Sequence, residues 1–286
     1  MKLLKLILCC CVMLAASFVV ARATEDPPTF VLKWGTWGSA PGQFEYPTGL
    51  ATDATGNVYV ADRWNDRIQK FTNNGQFIEQ WGSNGGGPGE LNGPTGIAVS
   101  PNGTIVVMDG NNGRIQVFTP DGGFIRQWGS LGHDDGQFYD AWGVAVDASG
   151  NVYVSDTRNA RIQKFTDSGA FITSWGSGGS GPGQFDTPVG IATDSFGNVY
   201  VADEYNVRIQ KFTPDGVFIA SWPTGCYYLA IDADDNLYTT SNTEHRVYKF
   251  SESGELLTQW GTPGASDGQF IYPTGIAADA PLCQRG

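Results

Sequence analysis

The sequence predicts an all-β fold, a β-propeller planned on six blades, with five complete four-stranded blades and an incomplete sixth. The first observation is a repeat, because tryptophan recurs four times at intervals of 47 residues and once more after 38. The positions are Trp34, Trp81, Trp128, Trp175, Trp222 and Trp260. The second observation is that each full interval contains four short apolar runs bounded by Gly, Asn, Asp or Pro, which is typical of strands. Such sheets bury both faces only by stacking, and stacking in a ring forms a propeller.

The first full repeat shows the four strands in order. Strand a is predicted at residues 49–53 (GLATD), strand b at 57–62 (NVYVAD), strand c at 67–71 (RIQKF) and strand d at 77–82 (FIEQWG). The a–b connection, residues 53–56 (DATG), suits a type I turn followed by a left-handed glycine. Strand a is expected to line the axis, where a small central residue lets the inner strands crowd together. That residue is alanine in all six copies: Ala51, Ala98, Ala145, Ala192, Ala230 and Ala277.

Residues 1–23 are predicted to be a secretory signal peptide, and residues 24–286 the propeller. Lys2 and Lys5 give a positive start, residues 3–20 are mostly apolar, and residues 21–23 (ARA) place small residues where signal peptidase cleaves. The apolar stretch is also long enough to be retained as a membrane anchor, but the A-x-A ending favours cleavage. We therefore expect a secreted or periplasmic protein with no membrane span after cleavage.

The charge balance excludes one class of partner. The whole chain has 17 basic and 29 acidic residues. Loss of Lys2, Lys5 and Arg22 would leave 14 against 29, a net charge of −15. Nucleic acid requires a basic surface, so we expect no nucleic-acid binding.

The repeated motif resembles the NHL repeat. The pattern D-x-x-G-N-V-Y-V-A-D-x-x-N-x-R-I-Q-K-F occurs at residues 53–71, 147–165 and 194–212. The resemblance implies a six-bladed ring closed by strands from both termini, and residues 29–34 (TFVLKW) match strand d of the sixth blade. The sixth unit departs from the pattern, because residues 268–280 continue into PLCQRG where strands b and c are expected. We therefore expect an incomplete sixth blade with exposed edges.

An Asp–Arg pair recurs across the b–c hairpin of four blades. The pairs are Asp62 with Arg67, Asp109 with Arg114, Asp156 with Arg161, and Asp203 with Arg208. An active site needs one such arrangement, whereas a scaffold needs one per blade, so the pairs are interpreted as structural. A cross-strand pair of this kind contributes about 0.2–1 kcal/mol. The aspartates that begin the a–b turns recur in the same way and are not expected to be calcium ligands.

The candidate site consists of positions where the repeats disagree. The d–a and b–c loops share one face of a propeller, and the variable residues there are mostly aromatic. They are Tyr46, Arg63, Trp64, Tyr139, Trp142, Asp186, Glu204, Tyr205, Tyr228 and Tyr272. Exposed aromatics that the scaffold does not require suggest recognition, although packing of the loops against each other is the alternative. We expect a binding module for a protein, peptide or glycan, with no catalytic residue, cofactor or metal.

The alternative function is a metal-dependent lyase or a lactonase-like propeller enzyme. Amidating lyases of similar propeller type use a histidine-rich zinc site, whereas this chain has only His133 and His245.

Two further expectations concern blade five. Its preceding d–a loop is nine residues shorter (47 minus 38), so the rim should dip near residues 226–228. Cys226 and Cys283 should lie at opposite ends of adjacent strands, too far apart for a disulfide, whose Cα spacing is about 5–6 Å.

Overall fold

A computed structural model describes residues 4–12, 15–23 and 26–278, with side chains from residue 26 onward. The described chain consists of strands, turns and three short 3-10 helices. No helix in this part of the chain has the length and apolar character that a membrane span requires. The strands are β1 (Leu4–Val12), β2 (Ala15–Ala23), β3 (Thr29–Trp34), β4 (Thr36–Trp37), β5 (Gln43–Phe44), β6 (Pro47–Thr52), β7 (Val58–Asp62), β8 (Arg67–Phe71), β9 (Phe77–Trp81), β10 (Pro94–Val99), β11 (Ile105–Asp109), β12 (Arg114–Phe118), β13 (Phe124–Trp128), β14 (Ser130–Leu131), β15 (Gln137–Phe138), β16 (Val144–Val146), β17 (Val152–Asp156), β18 (Arg161–Phe165), β19 (Phe171–Trp175), β20 (Pro188–Thr193), β21 (Val199–Asp203), β22 (Arg208–Phe212), β23 (Phe218–Pro223), β24 (Leu229–Ile231), β25 (Leu237–Ser241), β26 (Arg246–Phe250), β27 (Leu256–Trp260) and β28 (Pro273–Ala278). The 3-10 helices are Arg63–Asn65, Gly110–Asn112 and Thr157–Asn159.

Five sheets confirm the predicted blades. Each is a four-stranded antiparallel meander in sequence order: β6–β9, β10–β13, β16–β19, β20–β23 and β24–β27. We number these blades one to five and letter their strands a to d from the axis outward. Strands b and c are buried along their length because both sheet faces are covered, as in β7 of blade one, where all five residues are buried. The four-strand plan of each repeat was therefore predictable from the positions of the apolar runs.

The sixth sheet differs from the expectation. Its strand order is β28–β1–β2–β3, so residues 4–12 and 15–23 lie between the first and last strands of that sheet. Ile7 is opposite Ala277 of β28, and Val20 is opposite Leu32 of β3. Residues assigned to a signal peptide thus occupy the places of strands b and c. The expected incomplete sixth blade is not confirmed.

Glycine, rather than alanine alone, allows the inner strands to approach each other. A Cβ atom added at Gly49 would lie 2.5 Å from the carbonyl oxygen of Thr95 in the next blade. At Gly143 the distance to the Val189 oxygen would be 2.3 Å, and at Gly275 the distance to the Thr48 oxygen would be 2.0 Å. These contacts are too short for any side chain, so the glycine two residues before the central alanine sets the spacing in every copy except blade five, where Tyr228 stands. Five of the six central alanines are buried, and Ala98 is partly buried.

Hydrogen bonds at the end that carries the d–a loops join the five blades and the sixth sheet into a closed ring. The Thr48 hydroxyl donates to the Thr95 oxygen (2.8 Å), and Thr274 donates to the Pro47 oxygen across the junction between the sixth sheet and blade one (3.1 Å). The other junctions use Thr95 to Ala141, Ser155 to Val189, the Gly190 amide to Tyr227, and Thr240 to Thr274. Every junction around the ring therefore has a hydrogen bond, two of them donated by the strand-b residues Ser155 and Thr240, and none of these bonds involves β1 or β2.

Candidate functional site

The d–a and b–c loops lie on one face, as expected, and we call it the loop face. In each of blades one to four, a backbone amide of the b–c loop donates to a carbonyl of the d–a loop. The pairs are Trp64 to Glu45 (3.0 Å), Asn111 to Asn92 (3.0 Å), Arg158 to Tyr139 (3.1 Å) and Tyr205 to Asp186 (3.1 Å). The variable residues of the two loop types are thus brought side by side around the rim.

The repeated Asp–Arg pair is part of a buried network that holds these loops. In blade four, Asp203 is fully buried and accepts hydrogen bonds from Arg208 Nε (2.8 Å) and Asn206 Nδ2 (2.9 Å). The remaining guanidinium nitrogens donate to d–a loop carbonyls, namely Ser180 (2.7 Å), Gly181 (2.8 Å) and Gln184 (2.8 Å). Burial raises the pKa of the equivalent Asp62 in blade one despite its hydrogen bonds. The structural interpretation fits this arrangement, and the pair is more deeply buried than a simple cross-strand contact.

The aspartates of the a–b turns are satisfied within their own blades. Asp53 accepts hydrogen bonds from Thr55 (2.6 Å), the Asn57 amides (2.9 Å) and the Tyr59 hydroxyl (2.9 Å). Burial tends to raise the pKa of Asp53, but the bonds from Thr55, Asn57 and Tyr59 bring it below its ordinary value. Among the residues whose side chains are described, no cluster of three His, Cys, Asp or Glu is arranged to hold a metal ion.

A first group of candidate residues is an aromatic stack at blade one. The Tyr46 and Trp64 rings lie 3.7 Å apart between centroids, and Trp37 contacts Tyr46 edge-on at 5.5 Å. Trp64 nevertheless keeps 55% of its surface exposed. Loop packing and exposure therefore coexist, since the stack fixes the rings while leaving one of them open to solvent.

A second group crosses the mouth of the central channel. The Arg63 guanidinium of blade one lies 4.5 Å from the ring centroid of Trp142 in blade three. Trp142 in turn contacts Tyr227 of blade five edge-on at 6.1 Å. Arg63 precedes Trp64 in the chain, so the two groups form one continuous surface. We call Trp37, Tyr46, Arg63, Trp64, Trp142 and Tyr227 the mouth cluster.

Tyr228 differs from its expected position. It is 6% exposed, and its hydroxyl lies 3.5 Å from the Thr95 carbonyl oxygen on the opposite side of the ring. The residue stands where the other repeats have glycine, such as Gly49, so its ring fills space near the axis. The expectation of an exposed ring here is wrong, because the vacant volume beside the axis favours burial.

The remaining candidates are distributed around the rim. Tyr139 packs against His133 (5.2 Å) and Tyr272 against His245 (4.9 Å), and both tyrosines are about half exposed. Tyr205 is 70% exposed, and Asp186 beside it is exposed. Burial raises the pKa of Glu204, although a hydrogen bond with Asn242 acts in the opposite direction. The ten predicted residues thus form one central group and separate rim positions.

Sequence reasoning missed Trp37 and Tyr227. Tyr227 occupies the position of Thr48 and Thr95, where the repeats disagree, so the same criterion would have found it. Trp37 pairs with Phe44 at a position where other repeats have Asn84, Leu131, Gly178 and Pro263, so the same criterion would also have found it. Its place in the stack is visible only from the folded loop.

The short d–a loop before blade five predicts a dip in the rim there. An open cavity of ≈ 410 Å³ lies there between strand d of blade four and strand c of blade five. Cys226 lies beside it, 4% exposed, with its Sγ 3.1 Å from the Arg208 carbonyl oxygen. Burial raises the pKa of the Cys226 thiol, and the thiol is free among the described residues. Cys283 lies outside the described residues.

Comparison with known proteins agrees with the repeat pattern. A family model of the NHL repeat matches residues 44–71, 91–118, 138–165 and 185–212, each from the d–a loop to strand c. The E3 ubiquitin-protein ligase TRIM32 of Homo sapiens is 50% identical over 46 residues, which are 16% of this chain and 7% of that protein. The match therefore spans only a small part of that relative.

Similar solved structures extend over nearly the whole chain. A protein of unknown function from Bacteroides caccae superposes with a TM-score of 0.69 at 12% identity, covering 97% of this chain and 99% of that chain. Virginiamycin B lyase from Staphylococcus aureus gives a TM-score of 0.61 at 14% identity, covering 91% and 84%. At these identities the likeness shows the fold alone. Four segments matching the NHL model, on a ring of four-stranded blades, mean that the chain belongs to the NHL-repeat β-propeller family.

Proposed function

We propose that this protein is an exported binding module that captures a protein, peptide or glycan on its loop face without covalent chemistry. The observation that carries the proposal is Trp64, which is ordered by its stack on Tyr46 yet remains 55% exposed. Other blades have Asn111, Arg158 and Thr243 at the same turn position, so the scaffold does not require an aromatic ring there. A rigid, exposed aromatic is the usual anchor of a recognition surface.

The charge of the protein favours a basic or neutral ligand. The expected mature chain carries a net charge of −15, and Asp186 is exposed beside Tyr205 on the loop face. Negative surfaces attract basic partners and repel acidic ones. Aromatic rings alone suit a neutral glycan, which stacks on them. We therefore propose a basic or neutral peptide segment or a glycan, and no nucleic acid.

The test is a capture experiment with a double variant. Trp64→Ala combined with Tyr205→Ala should reduce the capture of partners from the native secretome. Truncation of such anchors typically weakens binding by about 2 kcal/mol or more, roughly 30-fold. The melting temperature should change little, because both side chains are largely exposed.

The matched control is Phe196→Ala. Phe196 is 71% exposed but lies in an a–b turn, on the face opposite to the loops. Capture should be unaffected by this change. If the double variant captured the same partners as the unaltered protein, the loop face would not be the binding surface.

The alternative, a metal-dependent lyase or lactonase-like enzyme, is supported only by the fold likeness to virginiamycin B lyase. His133 and His245 belong to different blades, and each contacts a rim tyrosine. Metal analysis of the purified protein separates the two functions. A stoichiometric, tightly bound zinc or calcium ion would favour the enzyme.

A further inference from the structure

Blade five contains a cavity where the other blades contain a loop. The d–a loop before blade five is nine residues shorter than its counterparts (47 minus 38). The open space of ≈ 410 Å³ falls within the usual range of ligand sites, about 300–1,000 Å³. Its lining includes Trp222, Pro223, Glu244, Tyr248 and Phe250.

In the other blades the d–a loop fills this position, and its contacts show which groups the position can bind. In blade four, Phe185 at the end of the d–a loop is 1% exposed and lies 5.7 Å from the Phe212 ring of strand c. The same contact joins Phe44 to Phe71 at 5.5 Å and Phe138 to Phe165 at 5.7 Å. The backbone of the same loop accepts three hydrogen bonds from Arg208. The loop is therefore held on strand c by two kinds of contact. Its phenylalanine packs against a phenylalanine of the strand, and its carbonyls accept hydrogen bonds from the arginine.

Blade five has the phenylalanine and the arginine of strand c that hold the loop in other blades, although the loop itself is missing. Phe250 corresponds to Phe212 and lines the cavity. Arg246 corresponds to Arg208, and its buried Nε has no hydrogen-bond partner among the described side chains and backbone. Its guanidinium donates to Gln259 (2.9 Å). The arginine thus lacks the carbonyls that its counterparts bind.

Two other positions of the network also differ in blade five, where the loop is missing. Ser241 replaces the aspartate, and Tyr248 replaces the glutamine that binds the loop in blade four, Gln210. Tyr248 stacks on Phe250 at 6.2 Å, and its hydroxyl donates to Glu244. Burial, followed by that contact with Glu244, raises the pKa of Tyr248 to about 12, so the hydroxyl stays protonated at neutral pH. The cavity therefore has an aromatic wall and a polar rim.

We propose that this cavity binds an extended peptide segment of a partner, which replaces the missing loop. A phenylalanine of the segment packs against Phe250 and Trp222, and its backbone carbonyls accept hydrogen bonds from Arg246. Glu244 at the rim disfavours an acidic residue beside the phenylalanine. The site is separate from the mouth cluster and does not depend on the function proposed for it.

The probe is a synthetic peptide with the sequence of the blade-four loop, GSGPGQF (residues 179–185), blocked at both ends. The readout is the indole N–H resonance of Trp222 in a ¹H–¹⁵N spectrum, assigned with Trp222→Phe. We expect a saturable shift on titration. The peptide GSGPGQA should bind about 10–100-fold more weakly, because burial of the phenylalanine is lost.

Two changes in the protein test the proposed site, and a third variant is the control. Arg246→Gln should weaken binding of GSGPGQF about tenfold or more, whereas Arg158→Gln, a change in an exposed b–c loop arginine of blade three, should not. Insertion of a copy of residues 177–185 after Pro223 should fill the cavity, abolish peptide binding and raise the melting temperature. Equal affinities for the two peptides, no saturable shift of Trp222, or unchanged binding after the insertion would each overturn the proposal.

Discussion

At the scale of single residues, Val207 holds a backbone conformation that valine seldom adopts. Its φ is +51°, and its side chain is 52% exposed. Left-handed backbone costs an L-residue about 1–2 kcal/mol, and a β-branched residue is a clear outlier there. The same turn position in blade two is Gly113, with φ of +61°. The b–c hairpin therefore demands this conformation whatever the side chain.

Val207→Gly should accordingly stabilise the protein. After subtraction of the greater flexibility of glycine in the unfolded chain, we expect a gain of about 0.5–1 kcal/mol, or roughly 1–4 °C in melting temperature. The measurement is a thermal melt. Val217→Gly is the control, since Val217 is 64% exposed with ordinary φ, and it should lower stability. A loss of stability in both variants would show that the Val207 turn carries no strain.

Single residues also show how far the sequence predicts the candidate site. Trp64 and Tyr205 were identified correctly as exposed because the backbone shapes their turn and leaves the side chain free. Tyr228 was not, since its burial depends on space left beside the axis by the closed ring. Comparing repeats finds positions that the scaffold leaves open, but whether a ring is buried depends on contacts between distant blades.

At the scale of the blade, the b–c hairpin and the d–a loop behave as one element. The sequence predicted the Asp–Arg pairing and its hairpin register, with Asp203 opposite Arg208. It did not reveal that the guanidinium also binds carbonyls 24 to 28 residues upstream. Those bonds require the loop to fold back over the hairpin, which apolar periodicity does not report. With these additional bonds, we expect the arginine to contribute more than the ~0.2–1 kcal/mol of a simple cross-strand pair.

Arg208→Ala should destabilise the protein by about 3–5 kcal/mol, because it leaves Asp203 buried without its cation and removes one donor from each of three loop carbonyls. Urea unfolding measures the change. Arg246→Ala is the matched control in the blade that lacks both the aspartate and the loop, and its effect should be much smaller. In a double-mutant cycle, Asp203→Ala should add little to Arg208→Ala. Equal losses from the two arginine variants would contradict the network.

At the scale of the whole molecule, ring closure separates the inner strands from the outer ones. β28 is joined to β6 by the Thr274 hydroxyl at one end and by the Thr52 hydroxyl, 2.7 Å from the Ala278 oxygen, at the other. Phe44, Leu50 and Ala277 also share one apolar cluster across this junction. Burial of apolar surface contributes about 25 cal/mol per Å². The inner ring therefore has its own interface between the sixth sheet and blade one, apart from any ladder made by residues 4–23.

Residues 1–23 therefore have two incompatible roles, and one measurement decides between them. The apolar stretch with its A-x-A ending predicts removal after Ala23, whereas the sixth sheet uses residues 4–12 and 15–23 as strands. We expect the protein recovered from a secreting host to begin at Thr24, as shown by intact mass. We also expect a chain of residues 24–286 to unfold in one cooperative transition, because the bonds of Thr274 and Thr52 persist without β1 and β2. An exported protein that retains Met1–Ala23, together with a 24–286 chain that does not fold, would establish those residues as permanent strands.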